Sequence, residues 1–170
     1  APVICVDHHY AHAACVYYTQ ENNKETLILT IDAMGDALSA TVNVGRGNSI
    51  QRIFSQTGFS SVSTYYSRLT EFLGFQPIRH ESKITSLAGY GKVSKKIMDL
   101  AKKQLRFIEE KEGFNFKNHF FKESISNSFY KNLKESSNKD VAYNFQRNFE
   151  QEIVNFVEYW VRKTGIFNVN

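Results

Sequence analysis

At 170 residues, 42% hydrophobic and 14% aromatic, the chain is long enough to bury one sizeable core, and one domain is the default expectation. Its formal charge of +4 falls well short of a committed nucleic-acid binder. No apolar run approaches a membrane span and no signal peptide opens the sequence, so it reads as a soluble, cytoplasmic protein with neither membrane nor nucleic acid as partner.

The first predicted element is a strand, Val3-Ile4-Cys5-Val6, a short β-branched apolar run of the kind buried in sheets. Asp7 follows as the N-cap of a short helix carrying Ala11, Ala13, Ala14, Val16 and the Tyr17-Tyr18 pair, expected to pack on a sheet. Three of the five histidines of the chain fall in the first turns of that helix: His8, His9 and His12. His8 and His12 are four apart, so their imidazoles share one helix face about one turn apart, the spacing at which two neutral rings grip one transition-metal ion. Paired histidines also occur on ordinary helix surfaces, and a catalytic metal wants about three protein ligands, so the remainder of the chain has to supply more. His9 points elsewhere and is expected to face substrate or support the pair. Cys5 and Cys15 lack metal or redox spacing; both read as small core residues, which favours a reducing compartment.

After the polar loop Gln20 to Lys24 a β-meander is expected. Its strands are Thr26 to Ile31, Leu38 to Val44 and Ile50 to Phe54, with Leu38, Ala40, Val42 and Val44 alternating against polar neighbours. The first turn, Asp32-Ala33-Met34-Gly35-Asp36, is open to three readings. Its backbone amides, around Gly35 and Asp36, suit phosphate oxygens; its two carboxylates suit a metal; or it is simply a polar hairpin turn.

Ser60 to Thr64 opens a helix whose Tyr65, Leu69, Phe72 and Leu73 recur at helical spacing, with Gly74 as its stop. A shorter helix is expected near Lys83 to Ala88, then an amphipathic one from Lys95 to Glu110. The lysines Lys92, Lys95, Lys96, Lys102 and Lys103, with Arg106, are followed at once by Glu109, Glu110 and Glu112, which marks a solvated helix face rather than a DNA footprint. Phe114, Phe116, Phe120 and Phe121 suggest an aromatic loop or short strands, and Ser124 to Lys134 a helix. Asp140 opens a long helix through Lys163, with Val141, Phe145, Phe149, Ile153, Phe156, Val157 and Trp160 on its core face. His119 reads as structural or solvated, while His80, Glu81 and Lys83 are candidate substrate contacts.

Four blocks in this order carry a resemblance. They are His8-His9-Tyr10-Ala11-His12-Ala13-Ala14, Leu29 to Asp36, Tyr65 to Phe75 and Glu81 to Gly91. Together they resemble the O-carbamoyltransferases, which include the nodulation-factor, tobramycin and cephamycin enzymes. More distantly the sequence is similar to the hydrogenase-maturation carbamoyltransferase and to the protein that makes threonylcarbamoyl-adenosine in tRNA. His9 and the Glu81 to Gly91 block favour the carbamoyltransferases over the latter. Two departures stand out: Ala33 replaces a usual glycine, and Thr85-Ser86 replaces a usual Met-Gly.

The resemblance implies an α/β (α+β) fold, part of the actin, Hsp70 and sugar-kinase architecture of two ribonuclease-H-like halves. Residues 1–170 would be a single partial N-terminal domain. Residues 1–20 would close the first half, and 26–170 would open the second with a helical insertion. The implied activity is transfer of a carbamoyl group, through carbamoyl-adenylate, to the hydroxyl of a small-molecule acceptor. The implied cofactors are ATP, carbamoyl phosphate as co-substrate and a divalent metal, commonly iron, with zinc or magnesium as alternatives. On this resemblance His8 and His12 match the metal-binding pair and Asp32 the acidic position, with His9 as a catalytic base. The family's full enzyme is several times longer, so these residues alone are expected to be inactive and to form a homo-oligomer through an exposed sheet edge. An alternative reading is an actin-like nucleotide-binding or interaction module without transfer activity.

Overall fold

A computed structural model of the protein describes residues 2–20, 24–116, 133 and 135–170. It is a mixed α+β structure with five helices, a three-stranded antiparallel sheet and a two-stranded sheet among those residues. The chain divides into two compact units, Ala1–Ser61 with Val157–Asn170, and Val62–Phe156.

In the first unit, helix α1 (His8–Tyr18) precedes the meander β1 (Thr26–Gly35), β2 (Leu38–Arg46) and β3 (Ser49–Thr57), in spatial order β1-β2-β3. The turn between β1 and β2 is tight, with Asp36 and Ala37 both at positive φ, the backbone that matches hairpin twist. β2 is the middle strand, bonded along both edges, and both of its faces are covered as well. Ala40, Val42 and Val44 are buried, but so are the polar alternates Ser39, Thr41 and Asn43. α1 covers one face through Ala13 and Tyr17, which cluster with Ile28 and Ile50. Tyr17 lies so close to Gly45 that a Cβ there would stand 2.4 Å from its ring. On the other face Trp160 meets Phe54, ring centroids 5.2 Å apart. Asn168–Asn170 runs parallel to β1, bonding the backbone of Leu27 and Leu29.

In the second unit α2 (Val62–Phe72), α3 (Glu81–Ala88) and α4 (Lys95–Gln104) are followed by a hairpin, β4 (Leu105–Ile108) and β5 (Gly113–Phe116). Helix α5 (Asn138–Thr164) contributes Val141, Phe145 and Phe156 to the core here. It also carries a buried polar stripe at i, i+4, i+8. Asn144 accepts from Ser94 N–H and donates to the Lys92 carbonyl, Asn148 donates to the Leu105 carbonyl, and Glu152 accepts from Phe107 N–H.

Several expectations are corrected. Val3 to Val6 is not a strand and its apolar side chains are exposed, Val3 at 90%, because no described segment offers it a ladder partner. Cys5, in that segment, and Cys15, on the outer face of α1, are exposed rather than core. On α1 the buried stripe is His9, Ala13 and Tyr17, leaving Val16 outside. The helix expected over Lys95 to Glu110 stops at Gln104, since Leu105 to Ile108 pairs with β5 and buries Leu105 in the core. The expected helix at 124–134 falls mostly outside the described residues, and His119, Phe120 and Phe121 lie outside them entirely.

Candidate metal centre

The start of α1 and the end of β1 meet at one point of the first unit. Asp7 caps the helix, its Oδ1 accepting from Tyr10 N–H at 2.7 Å. The carboxylate of Asp36, from the hairpin tip, accepts from His8 N–H at 2.7 Å. Two anions therefore sit on the positive end of a short helix, an arrangement that favours both. Arg52 from β3 bonds Asp7 in turn, and its guanidinium, followed by the Tyr10 amide, holds the Asp7 carboxyl below its ordinary range. The helix start is thus pinned to β3 and to the β1–β2 turn.

β1 departs from its ladder at the same place. Ile31 pairs with Ala40 and Gly35 with Leu38, so three residues, Asp32, Ala33 and Met34, stand opposite one. Such bulges re-aim side chains beside functional sites. Here the bulge turns Asp32 towards α1, and the Ser61 hydroxyl donates to the Asp32 carbonyl.

The result is a convergence of three donors. His8 Nε2 lies 2.6 Å from Asp32 Oδ2 and 3.1 Å from His12 Nε2, and His12 Nε2 is 3.6 Å from the same carboxylate oxygen. One ligand atom from each residue lies within 4.8 Å of the others. His8 and Asp32 are half-buried and His12 is exposed, so the point stays open to solvent on one side. The hydrogen bond from His8, with that from the Ala33 amide, keeps the Asp32 carboxyl below its usual range and hence ionised. The His8 Nε2 proton bridges the ring to Asp32 here; once that proton is displaced, two imidazole nitrogens and one carboxylate oxygen offer lone pairs to one point. This donor set suits a first-row divalent transition metal and leaves coordination positions open.

Gly35 and Asp36, expected to receive phosphate, have other employment in this structure. A Cβ on Gly35 would fall 2.0 Å from His8 Cδ2, so only glycine leaves room for the ring where it lies. Asp36 caps α1, as above.

His9 was expected either to face substrate, as a base, or to support the pair; it is fully buried, with Nδ1 2.7 Å from the Thr30 hydroxyl and Nε2 3.1 Å from the Leu38 carbonyl, which fits the supporting place and not the substrate-facing one. No ring nitrogen is left to take an acceptor's proton. Thr30 on β1 and Thr41 and Asn43 on β2 continue this contact inward; they were missed because alternation set the polar residues of both strands on the side away from the core.

His80, Glu81 and Lys83 belong to the second unit. Glu81 Oε1 accepts from Ile78 N–H and from the Ser67 hydroxyl, and His80 Nδ1 accepts from Gln76 N–H, so both hold the loop before α3. Lys83 lines a shallow surface depression with Tyr90, its Nζ 5.6 Å from the centre of the Phe75 ring.

The family described as carbamoyltransferase N-terminus matches residues 1–169. The chain belongs to that carbamoyltransferase family. Its family relatives include the Methanocaldococcus jannaschii protein MJ1058, 28% identical over 176 aligned positions that take in 94% of this chain and 29% of the relative. MJ1051 of the same organism is 34% identical over 83 residues, 49% of this chain and 16% of the relative. The nodulation protein NolNO of Sinorhizobium fredii is 31% identical over 86 residues, 51% of this chain and 12% of the relative. The chain thus spans less than a third of the curated relatives it matches.

Proposed function

We propose that this chain is the metal-bearing part of an ATP- and carbamoyl-phosphate-dependent O-carbamoyltransferase. The observation that carries the reading is the convergence of His8, His12 and Asp32 in a chain of the carbamoyltransferase N-terminal family. Plain actin-like nucleotide binders hold magnesium through oxygen ligands, and a site with two imidazoles is built for a softer ion such as iron or zinc. The meander followed by a segment returning parallel to β1 supports the ribonuclease-H-like architecture expected from the sequence.

Bound there, a divalent metal supplies positive charge to phosphate oxygens and polarises a carbonyl. The chain's own residues do the rest. With a metal in place of the His8–Asp32 proton, His8 and His12 would present their Nε2 lone pairs, and Asp32, kept ionised, would bring one negative charge that leaves a divalent centre net positive towards an anionic substrate. Gly35 gives His8 its place, while Asp7 and Asp36 fix the helix that carries both imidazoles. In the whole protein a metal held by His8, His12 and Asp32 would supply positive charge where the carbamoyl group is activated as carbamoyl-adenylate, before its transfer to a hydroxyl of a small molecule.

The test is pyrophosphate release from ATP by the parent protein, dependent on carbamoyl phosphate. We expect it in the parent and expect His8→Ala and His12→Ala to reduce it at least a hundredfold, in the range seen when a charge-stabilising group is lost. Unchanged release in both variants would refute the assignment.

A further inference from the structure

The buried ring of His9 heads a chain of hydrogen bonds that runs inward between α1 and the sheet. A carbonyl has no proton to give, so His9 Nε2–H donates to Leu38 O, while its Nδ1 pairs with the Thr30 hydroxyl. Thr30 and Thr41 are direct cross-strand partners, and their hydroxyl oxygens are 2.7 Å apart. Thr41 in turn accepts from Asn43 Nδ2 at 2.9 Å. That amide also donates to the Ile28 carbonyl, and all four side chains are at least nine-tenths buried. A histidine in the middle of an apolar helix stripe, between α1 and the sheet, is costly unless each polar atom is matched. Here each nitrogen is.

The attachment points of this chain matter. Thr30 lies two residues before Asp32 on β1, and Leu38 is the first residue after the tip whose Asp36 caps His8. His9 itself is the neighbour of His8. We infer that His9 is a positioning residue: with Thr30, Thr41 and Asn43 it locks the rotation of α1 over β1 and β2, and so the aim of His8 and His12 at Asp32. An apolar residue in the stripe would slide and rotate, whereas a ring bonded at both nitrogens to two different strands has one setting. The inference rests on the metal reading only for what the geometry is used for, and its test separates the two.

Cobalt(II), followed by its visible absorption, is titrated into the metal-free parent and into three variants of the same strand. Thr30→Val keeps the shape and removes the hydroxyl; Thr30→Ser keeps the hydroxyl. Thr26→Val is the control. Thr26 is equally buried and hydrogen-bonded, to Lys24 O and Asn168, but lies outside the chain. Thr30→Val is expected to weaken cobalt binding about tenfold, the lower end for an outer-shell partner, while Thr30→Ser and Thr26→Val bind as the parent does. Imidazole proton–nitrogen spectra of the metal-free proteins supply a second readout. The parent should show one exchange-protected Nε2–H for His9, and only Thr30→Val should move the His8 and His12 ring signals. Parent-like affinity and unmoved ring signals in Thr30→Val, or equal losses in Thr26→Val, would overturn the inference. If the parent takes up no cobalt, the metal reading falls and the ring signals alone decide whether His9 positions the pair.

Discussion

Gly35 shows how closely the hairpin and helix are fitted at the level of single side chains. Its exchange for alanine would drive a methyl into the His8 ring, since the Cβ would stand 2.0 Å from Cδ2. We expect Gly35→Ala to weaken cobalt(II) binding at least tenfold by displacing one ligand, and to cost about 1–3 kcal/mol of stability, the usual penalty of overpacking. Titration and urea unfolding read the two effects separately. Asp7 gives a pH prediction. Its carboxyl is held below the ordinary 3.8 by Arg52 and the Tyr10 amide, so its contribution is complete above that value and is lost as pH falls through the lowered one. Asp32, lowered chiefly by His8, acts in the same direction. Unfolding free energies measured from pH 6 down to pH 2 should therefore decline below about pH 4, and Arg52→Met should make the decline shallower. A profile unchanged by that substitution would remove Arg52 as the cause. At this scale the sequence displayed the His8, His12 spacing and Asp32 as separate candidates. It did not display the room that Gly35 leaves or the capping role of Asp36, because both arise from contacts 27 and 28 residues apart in the chain.

Among the elements, those whose pattern is local were legible. The meander, α1 and the long α5 follow from alternation, an Asp N-cap and an i, i+4 apolar stripe. The misreadings share a cause, which is that a partner decides the outcome. Val3 to Val6 has strand composition but no described neighbour to bond, while Leu105 to Ile108 has helical spacing but pairs with β5. β2 reads as half-exposed and is buried on both faces because α1 and Trp160 cover the sheet from opposite sides. The polar stripe of α5 was hidden in the same way, its Asn144, Asn148 and Glu152 serving backbone groups about 40 to 50 residues earlier. Asn144→Ala should cost about 2–4 kcal/mol, because Ser94 N–H and Lys92 O lose their partner together. Urea denaturation checks this, and a loss below 0.5 kcal/mol, typical of an inconsequential surface change, would contradict it.

For the molecule as a whole, family membership covers residues 1–169, while the candidate centre uses residues of the first 61 only. No helix among the described residues is long and apolar enough to cross a membrane. What the second unit adds is an open surface around Lys83, Phe75 and Tyr90, with His80 and Glu81 bracing the loop beside it. The account turns on the claim that His8, His12 and Asp32 form one metal centre. Its most direct test is cobalt(II) binding to the metal-free chain, with stoichiometry from titration and ligand type from the visible spectrum. The account predicts one ion per chain with imidazole and carboxylate ligation, and a large loss of occupancy in each of His8→Ala, His12→Ala and Asp32→Ala. Equal occupancy in the parent and all three variants would contradict it.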